Sequence, residues 1–164
     1  VRTLRGNVDR VGVVAVAPSG ELVSGSTIPE ERKIKFCHPI TGEQRTLNYP
    51  EHENRVIALI VLPTGELVSA GGTKINMWDT ITSSCLQTLQ GEGAHTGGVH
   101  ALVVLPKNVQ GWMFASGGTD CTIRLWKSTS DDGSWRGVAV SAPMTGHTQA
   151  VTSLVVLLPE RQLY

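Results

Sequence analysis

An internal repeat constrains the fold of this 164-residue chain more than any other feature. An apolar run, a proline, a glycine-containing turn and Leu-Val-Ser occur in that order at 10–26 and again at 55–72. A looser copy begins at 99, and the start of a fourth at 150. The first valines of the four runs are separated by 45, 43 and 52 residues. Repeats of this length are typical of arrays of supersecondary units, none of which can bury its apolar faces alone.

Each unit divides into four short strands. In the third unit, apolar or alternating stretches are separated by turn-forming residues, at Val99–Leu105, Met113–Ser116, Thr122–Trp126 and Val138–Ser141. Pro106 is expected to end the first of these strands. No stretch of ten or more residues has the 3.6-residue periodicity of a helix. We therefore predict an all-β fold, a β-propeller segment built of four-stranded antiparallel blades.

Composition argues against several classes of protein. The 14 basic and 14 acidic residues cancel, so bulk charge does not favour nucleic acid as a partner. The longest apolar runs contain seven residues, whereas a membrane-spanning helix needs about 20, so no membrane insertion is expected. Three widely spaced cysteines and the lack of a visible signal peptide favour an intracellular setting, cytoplasmic with a nuclear one as the alternative.

Two further features recur at fixed places in the units. An Asn or a His stands four residues before the first valine of each run, at Asn7, His52, His95 and His147. An aromatic residue lies near the end of each third strand, at Phe36, Trp78 and Trp126. Together with the segment SGGTDCTIRLW (116–126) and the Trp-Asp pair at 78–79, these features resemble the WD-repeat β-propeller family over nearly the whole chain.

The resemblance implies a partial propeller. We expect an outer strand of a preceding blade at 1–6, blades at 7–51, 52–94 and 95–146, and the inner strand of a further blade at 147–164. A ring in this family usually has about seven blades, so about half of one is present. The remainder is expected from the same longer chain or from a partner. Three blades alone would expose two apolar blade faces.

The resemblance also implies a buried, hydrogen-bonded set of structural side chains. Its expected members are His95, Ser116, Asp120, Trp126, His52, Ser69, Trp78 and His147. Only the third blade carries the whole set, because the turn at 72–74 in the second blade is one residue shorter and lacks the Asp.

A Ser, a His and an Asp also suggest a hydrolase triad. The chain contains no Gly-x-Ser-x-Gly elbow, and a buried Trp N–H and a buried His both need hydrogen-bond partners. These requirements favour the structural interpretation, and we expect no catalytic residue. Neither a metal site nor a cofactor is expected, because spacings such as Cys-x-x-Cys and a complete phosphate-binding loop are missing.

Charged residues immediately before the inner strands are the best candidates for partner binding. In propellers of the resembled family, the loops that lead into the inner strands lie on one rim. The candidates there are Asp9, Arg10, Asn54 and Arg55. Arginine pairs with carboxylates through its planar fork and is enriched at interface hot spots, which suggests docking of an acidic or polar peptide. The alternative is ordinary solvated charge.

The function implied by the resemblance is a non-catalytic scaffold that binds partner proteins or peptides through the propeller rim. One alternative is a ubiquitin-pathway adaptor or ubiquitin-binding propeller, because LPTGELVSAGG and SGGTDCTIRLW loosely resemble segments of such proteins. The other is a regulatory or targeting domain of a larger multidomain enzyme. Fold alone does not identify the partner.

Overall fold

A computed structural model describes residues 10–27, 33–47, 55–108, 111–128 and 137–157. In these ranges every regular element is a β-strand. The first sheet, blade one, contains β1 (Val11–Val16), β2 (Leu22–Ser26), β3 (Ile34–Cys37) and β4 (Gln44–Thr46). Blade two contains β5 (Ala58–Val61), β6 (Leu67–Gly71), β7 (Lys74–Trp78) and β8 (Cys85–Leu89). Blade three contains β9 (Val99–Asn108), β10 (Gly111–Gly118), β11 (Ile123–Ser128) and β12 (Gly137–Ala139).

Each sheet is an antiparallel meander. The strands of every blade lie side by side in chain order, and each strand pairs with the next. Meanders of this kind form where short strands of alternating side chains are joined by tight turns. The all-β prediction and its division into four-stranded blades are therefore confirmed.

The apolar core lies between neighbouring blades. Successive side chains of a strand point to opposite faces, so blade two contributes to two separate clusters. Leu67 and Trp78 pack against blade one, whereas Val68 and Met77 pack against blade three. All five residues of β6 are buried, because this blade is covered on both faces.

A repeated hydrogen bond marks each junction between blades. The backbone N–H of Val56 donates to the carbonyl of Ser26 over 3.1 Å, and that of Val99 donates to Gly72 over 2.8 Å. Val151 makes the corresponding bond to Gly118 at 3.0 Å. Residues 151–157 are described but belong to none of the twelve strands, so the expected inner strand at 147–164 stays a prediction. The expected strand at 1–6 lies outside the described residues.

Pro106 does not end β9, contrary to the prediction from the sequence. The strand continues to Asn108, which pairs with Gly111 at the start of β10. The register shifts between Gly111 and Met113, the partner of Leu105, so Pro106 lies at an irregularity of an edge strand. Pro106 is not among the paired residues of this strand, and an unpaired position on an edge strand is where proline, which lacks an N–H, is tolerated in sheets.

Blade one exposes two valines on its outward face, which also carries Ser24 and Lys35. Val14 and Val16 of β1 are 65% and 62% exposed. Val14 pairs with Ser24, whereas Val23 on the opposite face is fully buried against blade two. The exposed valines therefore lie on the face that blade two leaves uncovered.

Candidate functional site

A buried chain of polar side chains crosses blade three. Trp126 on β11 lies opposite Phe114 on β10, and their rings stack with centroids 6.2 Å apart. The Trp126 indole N–H donates to the Ser116 hydroxyl oxygen over 2.8 Å, and this oxygen lies 2.7 Å from Nε2 of His95. All four residues are buried. The antiparallel register places Ser116 two residues beyond Phe114, on the same face as the indole.

Asp120, in the turn between β10 and β11, completes the chain. Its carboxylate lies 2.9 Å from Nδ1 of His95 and accepts hydrogen bonds from the backbone N–H groups of Thr96 and Thr122. Burial raises the pKa of this carboxyl, but hydrogen bonds from His95 and Thr122 outweigh it and bring the pKa to about 2. Asp120 is therefore an anion that holds a proton on Nδ1.

The protonation states fix which group donates and which accepts in each hydrogen bond from Trp126 to Asp120. Burial lowers the pKa of His95 despite the opposing effect of Asp120, so the imidazole is neutral at pH 7. Because Nδ1 carries the proton, Nε2 accepts from the Ser116 hydroxyl. The order is therefore Trp126 N–H to Ser116, Ser116 O–H to His95, and His95 N–H to Asp120. Every one of these buried polar groups has a partner.

The turn that carries Asp120 depends on close backbone approach. A Cβ added to Gly118 would lie 2.8 Å from the carbonyl oxygen of Gly98, closer than real Cβ atoms approach. The N–H of Thr119 donates to that same carbonyl over 2.8 Å. Glycine at 118 thus lets this turn dock on the segment that carries His95.

Arg124 also binds the segment that carries His95. Its Nη1 donates to the carbonyl of Gly93 over 2.7 Å, and its Nη2 lies 3.8 Å from Asp120. The residue is buried. The loop before β9 is therefore held by both a carboxylate and a guanidinium.

The Ser116–His95–Asp120 contacts reproduce the order of a hydrolase triad. Ser116, however, has no exposed surface, and its oxygen is already an acceptor for the Trp126 indole. The Ser116 hydroxyl therefore contacts two side chains, those of Trp126 and His95, and no solvent. The contacts fix three segments of blade three to one another.

Blade two contains a shorter version of these hydrogen bonds. The Trp78 indole N–H donates to Ser69 over 2.8 Å. The β6–β7 turn has only two residues between the paired Gly71 and Lys74, and no Asp stands there. His52, expected to extend this pair, lies outside the described residues. His147 is described and exposed, and none of the hydrogen bonds of the blade-three chain involves it.

Blade one stabilises its third strand differently, by a cluster that sequence reasoning missed. The Arg45 guanidinium lies over the Phe36 ring, 3.7 Å from its centroid. Its Nε and Nη2 donate to the two Glu21 carboxylate oxygens over 3.2 and 3.0 Å, and Nη1 donates to Ser83 of blade two over 2.8 Å. Hydrogen bonding from Arg45 lowers the pKa of Glu21. Cys37 stands in blade one where blade two has Trp78, since Leu22 pairs with Cys37 as Leu67 pairs with Trp78, so blade one has no indole on that face.

The predicted rim residues that the structure describes lie together at one junction. Arg10 and Arg55 are both exposed. The N–H of Thr27 donates to the carbonyl of Arg10 over 3.2 Å, and Ser26 accepts from the residue after Arg55 over 3.1 Å. The backbones at Arg10 and Arg55 therefore flank one peptide. Asp9 and Asn54, the other two predicted members, lie outside the described residues.

The described residues contain neither a candidate metal centre nor a membrane-spanning helix. Within the described ranges, no three His, Cys, Asp or Glu side chains are grouped in a way that would hold a metal ion. Of the residues whose placement is described, none forms a helix with the length and hydrophobicity needed to cross a bilayer.

Comparison with known proteins agrees with this architecture. Residues 83–127 match the family model described as WD domain, G-beta repeat. The structure of U3-55K superposes with a TM-score of 0.72 at 20% identity, covering 93% of this chain and 44% of that one. The WD40 propeller domain of Doa1 gives 0.69 at 21% identity, covering 92% and 45%. A structure of the mitotic checkpoint complex gives 0.72 at 19%, covering 93% and 44%. No curated protein matches significantly.

The chain therefore contains a WD40 repeat and has the fold of a WD-repeat β-propeller, of which it forms a part. It spans less than half the length of each of these structures. Propellers of this type generally serve as scaffolds for protein interaction.

Proposed function

We propose that the chain is a non-catalytic scaffold that binds an acidic or polar protein segment at the rim formed by Arg10 and Arg55. The observation that supports it best is the complete internal pairing of the blade-three Ser, His, Asp and Trp. Because these reactive groups stabilise the fold, the surface that remains for function is formed by turns and strand edges.

The rim favours a carboxylate-bearing partner for an electrostatic reason. Two exposed guanidinium groups attach to backbones that flank the Ser26–Thr27 peptide. This peptide is held from both sides by hydrogen bonds, so the cations extend from an ordered base. Arginine forks bind carboxylates bidentately and so add geometric specificity to charge.

The experiment is a pull-down with the full-length chain, comparing wild type with the double variant Arg10→Glu/Arg55→Glu. Lys127→Glu is the matched control. Lys127 lies near the C-terminal end of β11, at the edge of the blades away from Arg10 and Arg55. We expect partners identified with the wild type to be lost from the double variant and kept by the control. If a folded double variant recovers the same partners as wild type, the rim is not the binding site.

Two alternative functions remain predictions from the sequence. Titration of the full-length chain with ubiquitin, followed by NMR, tests the adaptor alternative, and an absence of shifts excludes it. The parent sequence tests the alternative of a regulatory domain in a larger enzyme, and also whether the remaining blades come from the same chain or from a partner. The intracellular setting is part of the proposal, and fluorescence imaging of the tagged full-length protein tests it.

A further inference from the structure

Two turns at the edge opposite Arg10 and Arg55 have the same structure. Turn 38–43 joins β3 to β4, and turn 79–84 joins β7 to β8. The first residue of each donates its N–H to the carbonyl of the sixth, over 2.9 Å in blade one and 3.0 Å in blade two. The fifth residue has a positive φ in both, 79° at Gly42 and 60° at Ser83. The repeat thus extends to the backbone of these turns.

The first side chain of each turn fixes the residues at its tip. In blade one, Nδ1 of His38 accepts from the N–H groups of Ile40 and Thr41. In blade two, Oδ1 of Asp79 accepts from the N–H groups of Ile81 and Thr82 over 2.7 and 3.2 Å. The third residue is therefore held at the tip of both turns, although one turn uses an imidazole and the other a carboxylate.

That third residue is an isoleucine in both blades, and it points into solvent. Ile40 is 76% exposed and Ile81 is 91% exposed. Single exposed apolar side chains are common on soluble proteins. Two isoleucines at the same position of neighbouring repeats, each on a hydrogen-bonded turn, instead form a pair with a fixed arrangement.

Arg45 links the two turns. It lies two residues beyond the end of turn 38–43, and its guanidinium donates to the Ser83 hydroxyl of the other turn over 2.8 Å. The same guanidinium is held by Glu21 at 3.0 Å. The turns are therefore adjacent, and the contact between them is anchored on both sides.

The surroundings of the two isoleucines are acidic. Four turns meet at this edge, at 17–21, 38–43, 62–66 and 79–84, and Thr80 of the last donates to the Gly65 carbonyl over 3.0 Å. The turns contain four carboxylates, at Glu21, Glu43, Glu66 and Asp79, and no Lys or Arg. Arg45 is adjacent and pairs with Glu21, so these two charges cancel and the acidic character rests on Glu43, Glu66 and Asp79. Backbone hydrogen bonding from Ile81 lowers the pKa of Asp79, so this carboxylate is ionised at pH 7.

We propose that Ile40 and Ile81 form a two-point apolar docking surface for a basic amphipathic segment of a partner protein. The apolar side chains of the partner would cover the isoleucines, and its Lys or Arg residues would lie against the surrounding carboxylates. The inference rests on the proposed scaffold function but uses the opposite edge of the blades. Complementary charge selects the partner, since an acidic segment would be repelled.

The experiment uses the full-length chain and a synthetic amphipathic peptide of leucine and lysine, with fluorescence anisotropy as the readout. We expect the peptide to bind wild type and to lose at least about tenfold in affinity to Ile40→Ser/Ile81→Ser, since both apolar contacts disappear. Leu86→Ser, at a 42%-exposed leucine on β8, is the matched control and should bind like wild type. A version with glutamate in place of lysine should not bind.

The inference is overturned if the leucine–lysine peptide does not bind, if the double isoleucine variant binds as well as wild type, or if the glutamate version binds equally. Arg10→Glu/Arg55→Glu separates this inference from the rim proposal. That variant should bind the leucine–lysine peptide normally while losing its pull-down partners. If the arginine variant still recovers its pull-down partners and the peptide still needs the two isoleucines, the rim proposal is wrong and the isoleucine surface is supported.

Discussion

Blade three and blade one hold their third strands by different chemistry. In blade three, a Trp indole begins a chain of hydrogen bonds that ends at the Asp120 carboxylate. In blade one, the Arg45 guanidinium covers the ring of Phe36, which packs against blade two. Arg45 then binds Glu21 of its own blade and Ser83 of blade two. In the first arrangement Trp126, Ser116 and His95 are buried and the Asp120 side chain is 7% exposed, whereas Arg45 retains a third of its side-chain exposure.

The comparison shows that the two blades place their third-strand aromatic rings on different faces. Phe36 packs against the blade that follows its own, whereas Trp126 packs against the blade that precedes its own. The registers agree, because Leu22 pairs with Cys37 as Leu67 pairs with Trp78. Each ring fills the space between neighbouring sheets, but only the tryptophans donate an N–H to a serine hydroxyl.

The largest effect is expected from removing the blade-three ring. Trp126→Ala should lower the free energy of unfolding by about 3–5 kcal/mol, because it leaves a cavity beside Phe114 and orphans Ser116. Urea denaturation of the full-length chain measures this loss. Trp126→Phe keeps most of the volume and should cost clearly less. Equal losses from the two variants would show that packing of the ring is not the main contribution.

A second substitution tests whether blade one can accept a tryptophan in place of Phe36. Phe36→Trp would bury an indole N–H on the face of blade one that packs against blade two, where Gly25, two residues beyond the partner of Phe36, has no hydroxyl to accept it. Without a hydroxyl acceptor, the variant should lose about 1–3 kcal/mol of unfolding free energy. Thermal or urea unfolding, followed by circular dichroism, gives the result. A stabilised variant would mean that blade one can use the indole chemistry after all.

A smaller loss is expected from Arg45→Met. The methionine keeps part of the apolar contact with Phe36 but removes the ion pair and the cation–π contact, which together are worth about 1 kcal/mol at a partly exposed site. Arg45→Lys should fall between this variant and wild type, since lysine keeps the charge but not the planar fork. Denaturation at low and high salt gives the measurement, and a salt-independent loss would contradict the ionic part of the explanation.

The smallest change is expected on mild acidification. The pKa of His95 is lower in the folded chain than its ordinary value of 6.5, so the unfolded state binds more protons as the pH falls. Stability should therefore decline below about pH 6.5. Asp120, with its pKa lowered from 3.8 to about 2, adds a further loss below about pH 4.

Unfolding free energies between pH 7.5 and 5 test this prediction. His95→Gln should be less stable than wild type but show a flatter profile. His147→Gln, at an exposed position, should leave the profile unchanged. The prediction is wrong if the His95 variant keeps the wild-type slope.

The sequence predicted the fold well because strand patterns are local. Alternating side chains and turn residues along 55–72 are enough to indicate paired strands, and the repeat indicates an array. Pro106 was misread because only its neighbours show that it lies at an irregular edge. The counterpart of Trp78 was also hidden: Ser24 pairs with Lys35 as Ser69 pairs with Asn76, and this register places Cys37, not Phe36, at the tryptophan position of blade one.

Contacts between segments far apart in the sequence explain which features could not be predicted from it. Arg45 meets Glu21 across 24 residues and Ser83 across 38, and no spacing rule connects them. The isoleucines at the turn tips carried a weak signal, an Ile-Thr pair at 40–41 and again at 81–82. Its meaning depends on the backbone hydrogen bonds that orient both tips, which only the structure supplies.

A double-mutant cycle on Ser116→Ala and Trp126→Phe tests the central claim most directly, namely that the Ser, His and Trp of blade three stabilise the fold. Each single variant of the full-length chain removes one side of the 2.8 Å indole–hydroxyl bond. We predict a coupling of about 1 kcal/mol between the two changes, because the bond is lost only once. Strictly additive losses would contradict the account.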